Sequence, residues 1–413
     1  MVVGEDEGRE VETGRYIVSF APEPEAVART ISDLHDVAGI ARGSLALDSD
    51  HARVDARGSA GTIMHRFGFG VLEHLDEATT ERLRGRNIKV RRERYFRLPR
   101  SHNLRRYAEP EASTIQSAVE PQTASWALNA IGGVDAPYTG KDVRVAVVDS
   151  GIWAQHPDFA GRQLEARGFA PGVADANDEL GHGTFCAGLI AGPVAPAKGP
   201  RYGVAPGVQL VCARVLRFEQ PGAREHDIIQ AIGWAIDSGC RVVSLSLGAL
   251  PGAEPDPDYD KIGDDAKKAG CLIIAAAGND SVRPQILKPV SMPANSPSII
   301  AVGALTRGKF PYSTSNEGND NGLGGKVDLS APGADVYSAL VDPSDPTTLY
   351  GTADGTSAAT PFVAGVAAHW LEREPTLRPG NLIVRILQTC QAAAQDVTTT
   401  SAGAGLVRAP AKP

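Results

Sequence analysis

The chain has 413 residues and a formal net charge of −8, from 41 basic and 49 acidic side chains. Hydrophobic residues make up 42% and charged residues 22% of the sequence, which is ordinary globular usage and excludes a wholly disordered chain. No apolar run approaches the ~18 residues that a membrane span needs, so we expect no membrane partner. The first ten residues lack the basic and apolar regions of a signal peptide, which leaves localisation open between a cytoplasmic protein and one whose leader has been removed.

The region before residue 126 predicts a small domain between an acidic tail, 1–14, and a linker. Strand patterns alternate with helix patterns over residues 15–97, which predicts an α+β domain. We expect strands at 16–20, 63–69 and 88–96 and helices at 24–38 and 76–84. Residues 98–125 contain three prolines and little periodicity, which is typical of a linker.

A basic run overlaps the end of this domain. Residues 81–106 contain eleven Arg or Lys and only two acids, Glu81 and Glu93. Such a run could bind nucleic acid, but no RNA- or DNA-binding motif accompanies it. The alternation at 88–96 favours a strand with one solvated face, and we expect no nucleic-acid partner.

Residues 126–413 predict one large α/β domain. Nearly continuous apolar strands at 143–148, 208–216, 241–247, 271–277 and 298–303 alternate with helical patterns, such as the one at 225–238. Continuous apolar strands are typical of a parallel sheet that is covered on both faces. The predicted fold class is therefore α/β, with a doubly wound, mostly parallel sheet preceded by the small α+β domain.

Four polar groups follow strands of this domain or begin its helices. They are Asp149 after strand 143–148, His182 in Gly-His-Gly-Thr at 181–184, Asn279 after strand 271–277, and Ser357 in Gly-Thr-Ser at 355–357. Because open parallel sheets gather their functional groups at the carboxyl ends of the strands, we expect the four to meet.

An acid, an imidazole, a hydroxyl and an amide are the groups that a serine needs to hydrolyse a peptide bond. A serine hydroxyl becomes nucleophilic when a neutral imidazole takes its proton, and a buried carboxylate holds that imidazole in the correct tautomer. A side-chain amide can stabilise the oxyanion that forms. We expect the glycines beside His182 and before Ser357 to let the substrate backbone approach closely.

With these residues the chain resembles the subtilases, the subtilisin family of serine peptidases. The resemblance rests on Val-Ala-Val-Val-Asp-Ser-Gly-Ile at 145–152, Gly-His-Gly-Thr-Phe-Cys-Ala-Gly at 181–188, Ala-Ala-Gly-Asn at 276–279 and Gly-Thr-Ser-Ala-Ala-Thr-Pro at 355–361. The order acid, histidine, serine is that of subtilisin itself. The resemblance implies a subtilisin-like domain over 126–413 with serine endopeptidase activity and no cofactor required for the chemistry.

The resemblance also assigns a role to each residue. Asp149 would orient the histidine, His182 would be the general base, Ser357 the nucleophile and Asn279 the oxyanion donor. The substrate, an extended polypeptide strand, would pair with Ser246, Leu247 and Gly248 and lie against Ala276, Ala277 and Gly278. Cys186, four residues after the histidine, is similar to the free cysteine of proteinase-K-like members.

The N-terminal region has a counterpart in the same family. Residues 15–97 resemble the subtilase propeptide, which assists folding and inhibits the enzyme. The resemblance implies a monomeric zymogen that binds its own propeptide as an inhibitor and cuts itself within 98–125.

Metal binding is open at two places. The acidic stretches 175–179 and 254–265 could hold a structural calcium ion, although solvated acidic loops are the simpler interpretation. His182 and Cys186 have the spacing of a metal pair, but no further ligands follow at zinc-site spacing. The five cysteines, an odd number without Cys-x-x-Cys spacing, are more typical of buried free thiols than of a zinc or disulfide scaffold.

Three other functions remain as alternatives. The first is a dedicated precursor-processing protease or macrocyclase that transfers the acyl group to an amine. The second is a pseudo-enzyme or binding module, against which the complete set of Asp149, His182, Ser357 and Asn279 argues. The third is a nucleic-acid tether at 81–106.

Overall fold

The structure is a computed structural model. It describes residues 12–41, 45–47, 61–98, 105–106, 123–217, 222–249, 254–319, 325–342, 345 and 347–412. The chain forms two compact units, Met1–Phe96 with Ala223–Trp234, and Arg97–Gly222 with Ala235–Pro413. Within the described ranges, no helix combines the length and apolar character that crossing a bilayer requires.

The elements follow one another in this order. Before residue 126 they are β1 (Glu12–Ser19), α1 (Pro24–Ala38), β2 (Leu45–Leu47), β3 (Gly61–Met64), β4 (Phe69–Leu72), α2 (Glu77–Arg84), β5 (Lys89–Phe96) and β6 (Arg105–Arg106). From residue 126 to 276 they are α3 (Trp126–Ala130), β7 (Arg144–Asp149), a 3₁₀ turn (Pro157–Phe159), β8 (Leu164–Gly168), α4 (His182–Ala191), β9 (Gln209–Arg214), β10 (Ala223–Arg224), α5 (Glu225–Asp237), β11 (Val242–Leu245), α6 (Pro257–Lys268) and β12 (Leu272–Ala276). The remainder are β13 (Ile300–Leu305), β14 (Leu329–Pro332), β15 (Val336–Ala339), β16 (Tyr350–Ala353), α7 (Thr356–Arg373), α8 (Pro379–Gln388) and α9 (Thr399–Ala402).

The first unit contains a six-stranded sheet in the order β10-β5-β1-β4-β3-β2. Helix α1 has the bounds that the sequence predicted and buries Val27, Leu34 and Val37, while α2 buries Leu83. These side chains form one apolar cluster with Ile63 and other strand residues. Burying a leucine side chain of this kind contributes about 1.5–3 kcal/mol, which favours the predicted α+β arrangement.

The prediction of one strand at 63–69 was wrong. Strands β3 and β4 pair with each other in antiparallel register, and a turn at 65–68 joins them. Gly68 has a φ of +67°, and a Cβ atom there would lie 2.1 Å from the Phe20 carbonyl oxygen. Only a glycine fits at this position of the turn. The turn divides the apolar run into two strands, which the sequence pattern had indicated as one.

The predicted solvated face of β5 is wrong in part. Lys89 and Arg92 are exposed, but Glu93 and Arg94 are buried. The side chains that pair with Glu93 and Arg94 come from α5 and β1. Because these elements are distant in the sequence, the local pattern of β5 could not predict the burial.

The second unit contains a seven-stranded sheet in the order β14-β13-β12-β11-β7-β9-β8. Every pairing in this sheet is parallel. Helices α4 and α7 pack against each other and against strands of the sheet, and α6 packs against β12. The buried strands and flanking helices confirm the predicted α/β class.

Strand β7 lies where the direction of sheet growth reverses. The chain adds β9 and β8 on one side of β7 and β11, β12, β13 and β14 on the other. Such a switch point opens a crevice at the carboxyl end of the strand. Asp149 is the last residue of β7 and therefore lies at this crevice.

Candidate active site

The structure brings Asp149 and His182 into direct contact. Nδ1 of His182 lies 2.7 Å from Oδ1 of Asp149, and both side chains are buried. The same carboxylate oxygen accepts the backbone N–H of Ser150, which holds it in place at the end of β7. This pairing sets the tautomer of the imidazole so that its Nε2 can act as a base.

The charge of Asp149 determines the protonation of His182. Burial alone would lower the pKa of His182, but the nearby Asp149 carboxylate raises that pKa well above its usual range. Burial raises the pKa of the Cys186 thiol, which therefore stays protonated. The imidazolium that forms when a serine loses its proton is thus stabilised.

Asp178, which the sequence analysis did not single out, organises the start of α4. Its Oδ1 accepts the hydroxyl of Ser150 and the N–H groups of Leu180 and Gly181. Its Oδ2 accepts the N–H and the hydroxyl of Thr184. The buried carboxylate therefore ties the turn after Asp149 to the helix that begins at His182.

Ser357 lies in the first turn of α7. Its hydroxyl donates to the Ser246 carbonyl oxygen at 3.1 Å, and the Ser246 hydroxyl donates to the Ser357 carbonyl oxygen at 3.0 Å. The Cys186 sulfur lies 3.9 Å from His182 Nδ1 and 3.7 Å from the Ser357 carbonyl oxygen. The Cys186 sulfur therefore lies between the imidazole of His182 and the backbone of Ser357, within 4 Å of both.

The amide of Asn279 is oriented by the residue before the serine. Its Oδ1 accepts the Thr356 N–H and the Thr356 hydroxyl, both at 2.9 Å. Its Nδ2 is buried and has no hydrogen-bond partner among the described residues. A buried donor of this kind is costly unless something else accepts from it, and a developing oxyanion would do so.

The glycines beside His182 and before Ser357 allow segments of the protein's own backbone to pack closely. The sequence predicted instead that they make room for the substrate backbone. A Cβ atom on Gly183 would lie 2.2 Å from the Gly151 carbonyl oxygen, and one on Gly181 would lie 2.2 Å from the Val341 carbonyl oxygen. A Cβ atom on Gly355, which has a φ of +110°, would lie 2.5 Å from the Asn279 amide nitrogen. The site is compact because these backbone segments touch.

The predicted substrate edge carries a strand of this chain. The Arg97 N–H donates to the Gly248 carbonyl oxygen at 2.8 Å, and the Gly248 N–H donates to that of Arg97 at 2.9 Å. This antiparallel bridge lies two residues beyond Ser246, whose carbonyl oxygen accepts from Ser357. An extended peptide can therefore pair with this edge within reach of the serine.

The predicted second wall of the substrate site, residues 276–278, has no free backbone groups that could bond a substrate, so it can act only by limiting the space beside it. Ala276, Ala277 and Gly278 are all buried. The Ala277 carbonyl oxygen accepts from Ser291 and Asn316, and the Gly278 N–H donates to the Thr356 hydroxyl. These backbone groups are already hydrogen bonded, so the wall would limit the size of a side chain lying against it.

Carboxylates of both acidic stretches already have partners. In 175–179, Asp175 and Glu179 pair with Arg214. In 254–265, Asp256 caps α6 and Asp265 pairs with two lysines. These contacts do not form the unshared set of carboxylates that calcium requires, and structural calcium stays an untested prediction.

Among the described residues, one group of three or more side chains has metal-ligand geometry. It consists of Asp149, His182 and Cys186. Asp149 and His182 of this group are the paired acid and base of the site. Hydrogen bonds among the three residues explain why they lie close together, without a metal ion.

Comparison with known proteins supports the resemblance seen in the motifs. Residues 140–405 match the model of the subtilase family. Subtilisin NAT of Bacillus subtilis subsp. natto is 37% identical over 244 residues, which are 58% of this chain and 58% of that protein. The major intracellular serine protease of Bacillus subtilis is 33% identical over 233 residues, 55% of this chain and 68% of that protein. The matched stretch spans less than two thirds of subtilisin NAT.

Two solved structures share the fold. A cold-adapted subtilisin-like serine proteinase has a TM-score of 0.58 at 30% identity, covering 70% of this chain and 100% of that one. Fervidolysin from Fervidobacterium pennivorans, a keratinolytic enzyme related to subtilisin, has a TM-score of 0.70 at 20% identity. That alignment covers 97% of this chain and 61% of fervidolysin, and it bears on the fold alone. The sequence motifs, the parallel sheet and the matched family model together show that this chain belongs to the subtilase family.

Proposed function

We propose that this protein is a serine endopeptidase that hydrolyses peptide bonds through an acyl-enzyme on Ser357. The observation that carries the proposal is the buried Asp149–His182 pair beside a serine at a helix start, with the Asn279 amide oriented toward the same helix. His182 would take the proton of Ser357 and return it to the leaving amine. Asn279 Nδ2 and the Ser357 N–H would bind the oxyanion.

Active-site labelling tests the nucleophile. A fluorophosphonate probe should add to wild-type protein on the peptide that contains Ser357, as read by mass spectrometry. Ser357→Ala should not be labelled, whereas Ser238→Ala, which changes a half-buried serine bonded to Glu165, should be labelled normally. Labelling of Ser357→Ala at the wild-type rate would overturn the assignment.

Product analysis separates hydrolysis from acyl transfer. Mass spectrometry of a peptide library treated with the enzyme should find linear products with new carboxylates. Cyclic products, or products extended by an added amine, would support the macrocyclase alternative instead.

We further propose that the protein is a zymogen that processes itself, with residues 15–97 as propeptide and inhibitor. Support comes from two backbone contacts within the second unit. Arg97 pairs with Gly248, near Ser246, and Arg105–Arg106 pairs with Gly351 and Thr352, a few residues before Ser357. The chain between these two anchors is short, because eight residues span at most about 29 Å.

These two contacts narrow the range of residues within which we expect the chain to be cut. We expect the cut bond to lie after Leu98 and before Arg105, inside the linker 98–125 expected from the sequence. Residues 99–104 and 107–122 lie outside the described residues. N-terminal sequencing of active protein should find a start between 99 and 105, whereas an active chain that keeps Met1 would contradict self-processing.

A further inference from the structure

A cavity of about 240 Å³ lies in the second unit. Its walls come from helix α3, the turn 306–309 after β13, the last residue of β14 and the C-terminal segment 391–408. This volume exceeds the roughly 150 Å³ of a cavity that binds benzene, so the site has room for a small organic molecule. The four motif residues of the proposed active site lie outside it.

Backbone hydrogen bonds tie the C-terminal segment to the other walls. The Val407 N–H donates to the Ser330 carbonyl oxygen of β14 at 2.8 Å. The Ala409 N–H donates to the Ile131 carbonyl oxygen, directly after α3, also at 2.8 Å. The cavity is therefore formed before a ligand arrives, which lowers the entropic cost of binding.

The cavity has a positive charge. Among the described residues that line it, none is acidic and three are basic, namely Arg307, Lys309 and Arg408. Arg307 pairs with Asp335 at 3.4 Å, whereas Lys309 and Arg408 have no carboxylate partner in the part of the chain that the structure describes. The chain as a whole carries a net charge of −8, so an anion that binds here is attracted by this local site and not by the average charge of the protein.

Arg408 is half-buried and contacts neutral acceptors. Its Nη1 donates to the Ala130 carbonyl oxygen at 3.0 Å and to Oε1 of Gln391 at 3.2 Å. A guanidinium has five N–H groups, and those on Nε and Nη2 have no acceptor within the described ranges. This planar fork of donors is suited to a carboxylate, which accepts two parallel hydrogen bonds.

Apolar surface lies beside these charges. The Trp126 indole N–H donates to the Asp335 carbonyl oxygen at 2.9 Å, and the Arg307 guanidinium lies 5.2 Å from the centre of the indole ring. These two contacts fix the position of the aromatic side chain. Pro332 and Leu406 add aliphatic surface to the lining. A ligand with a carbon skeleton can bury that surface, and an inorganic anion cannot.

We propose that the cavity around Trp126, Lys309 and Arg408 binds a small organic dicarboxylate with a compact carbon skeleton. Two cations from separate segments, neither with a carboxylate partner, favour a ligand with two anionic groups. The apolar lining favours carbon atoms between those groups. Because the bound ligand would link α3 to the C-terminal segment, it would stabilise the folded second unit.

Isothermal titration calorimetry with three probes tests the class of ligand. The protein is the full chain with Ser357→Ala, so that self-cleavage does not change the sample. At neutral pH, isophthalate has two carboxylates on a ring, benzoate lacks the second charge, and inorganic phosphate lacks the carbon skeleton. Isophthalate should bind at least about tenfold more tightly than either of the other two. Phosphate binding as tightly as isophthalate would indicate an adventitious anion only and overturn the proposal.

Substitution of the lysine tests the location of the site. Lys309→Gln should weaken isophthalate binding by about tenfold or more, because one charged contact is lost. Its side chain has no hydrogen-bond partner among the described residues, so the change should not disturb the fold. Lys141→Gln, which changes an exposed lysine outside the cavity, should leave the affinity unchanged. Unchanged affinity in Lys309→Gln would contradict the assignment of the cavity.

Thermal unfolding gives a second, independent measurement. A ligand that binds only the folded state raises the melting temperature according to the ratio of its concentration to its Kd. Isophthalate should therefore raise the melting temperature of the Ser357→Ala chain, and Lys309→Gln should need about tenfold more isophthalate for the same rise. An equal rise at equal concentration in both proteins would show a general effect of the salt and would reject the site. Neither measurement depends on peptide hydrolysis, so this proposal and the proposed function can fail separately.

Discussion

At the scale of single residues, the pairing of Asp149 with His182 predicts a pH dependence. Burial opposes the charged imidazole, but the carboxylate raises the pKa of His182 well above its usual range. The general base must be neutral, so kcat/KM should rise with pH through that raised pKa. Asp149→Asn removes the charge that raises the pKa, so the acid limb should move to lower pH while kcat falls by about 10⁴-fold.

The measurement is kcat/KM as a function of pH. Asp175→Asn, an exposed carboxylate change in the loop before the histidine, should leave the acid limb in place. An acid limb that stays at the same pH in Asp149→Asn would show that another group controls the titration.

Asn279 gives a second prediction at this scale. Its Nδ2 has no acceptor among the described residues, and its Oδ1 is held by Thr356. Asn279→Ala should lower kcat by about 10²–10³-fold with KM little changed, which is the range established for this donor in subtilisin itself. Steady-state kinetics with one peptide substrate measures both constants.

Exposed Asn177→Ala is the matched control for that comparison, and it should leave kcat unchanged. A rise in KM with kcat retained in Asn279→Ala would mean that the amide binds the ground state and not the oxyanion.

At the scale of elements, the start of α4 depends on Asp178. The carboxylate accepts five hydrogen bonds from Ser150, Leu180, Gly181 and Thr184. Asp178→Ala would leave several buried donors unsatisfied, and we expect it to lower the free energy of unfolding by about 3 kcal/mol or more. Because the same bonds place His182 beside Asp149, kcat should fall as well.

Thermal or urea unfolding and kcat are measured on the same samples. Asp175→Ala, three residues earlier and exposed, should change the unfolding free energy by less than about 1 kcal/mol. Wild-type stability in Asp178→Ala would contradict the anchoring role of this carboxylate.

The sequence predicted those elements whose pattern is local. The central strands read as continuous apolar runs, and α1 as a periodic face that includes Val27 and Leu34. Strand β8 was not predicted, because charged side chains interrupt its short sequence Leu164–Gly168, which pairs at the sheet edge. Strands β3 and β4 were merged because Gly68 turns the chain inside one apolar run.

Within the site, the motif residues could be predicted from the sequence, but the residues that hold them in place could not. Asp149, His182, Asn279 and Ser357 are recognisable because each follows a strand or begins a helix in a known order. Asp178 reads locally as one acid of a solvated loop, and only the fold brings Ser150 and Thr184 to it. Glu225 likewise looks like an exposed helix start until β5 contributes its arginines.

At the scale of the whole molecule, the two units divide the chain differently from the linear domains predicted at 15–97 and 126–413. Residues 223–234 group with the N-terminal strands. The predicted domain boundaries stay a prediction, but this grouping suggests how a cut chain could keep its N-terminal region. All four motif residues of the proposed activity lie in the second unit.

The central claim is that Ser357 carries peptide hydrolysis, and the most direct measurement is the turnover of an unfolded polypeptide by wild-type protein and by Ser357→Ala. The account predicts a loss of about 10⁶-fold in kcat, the magnitude found when the nucleophile of subtilisin is removed. Turnover by Ser357→Ala within tenfold of the wild-type rate, in a sample that holds no other peptidase, would contradict it.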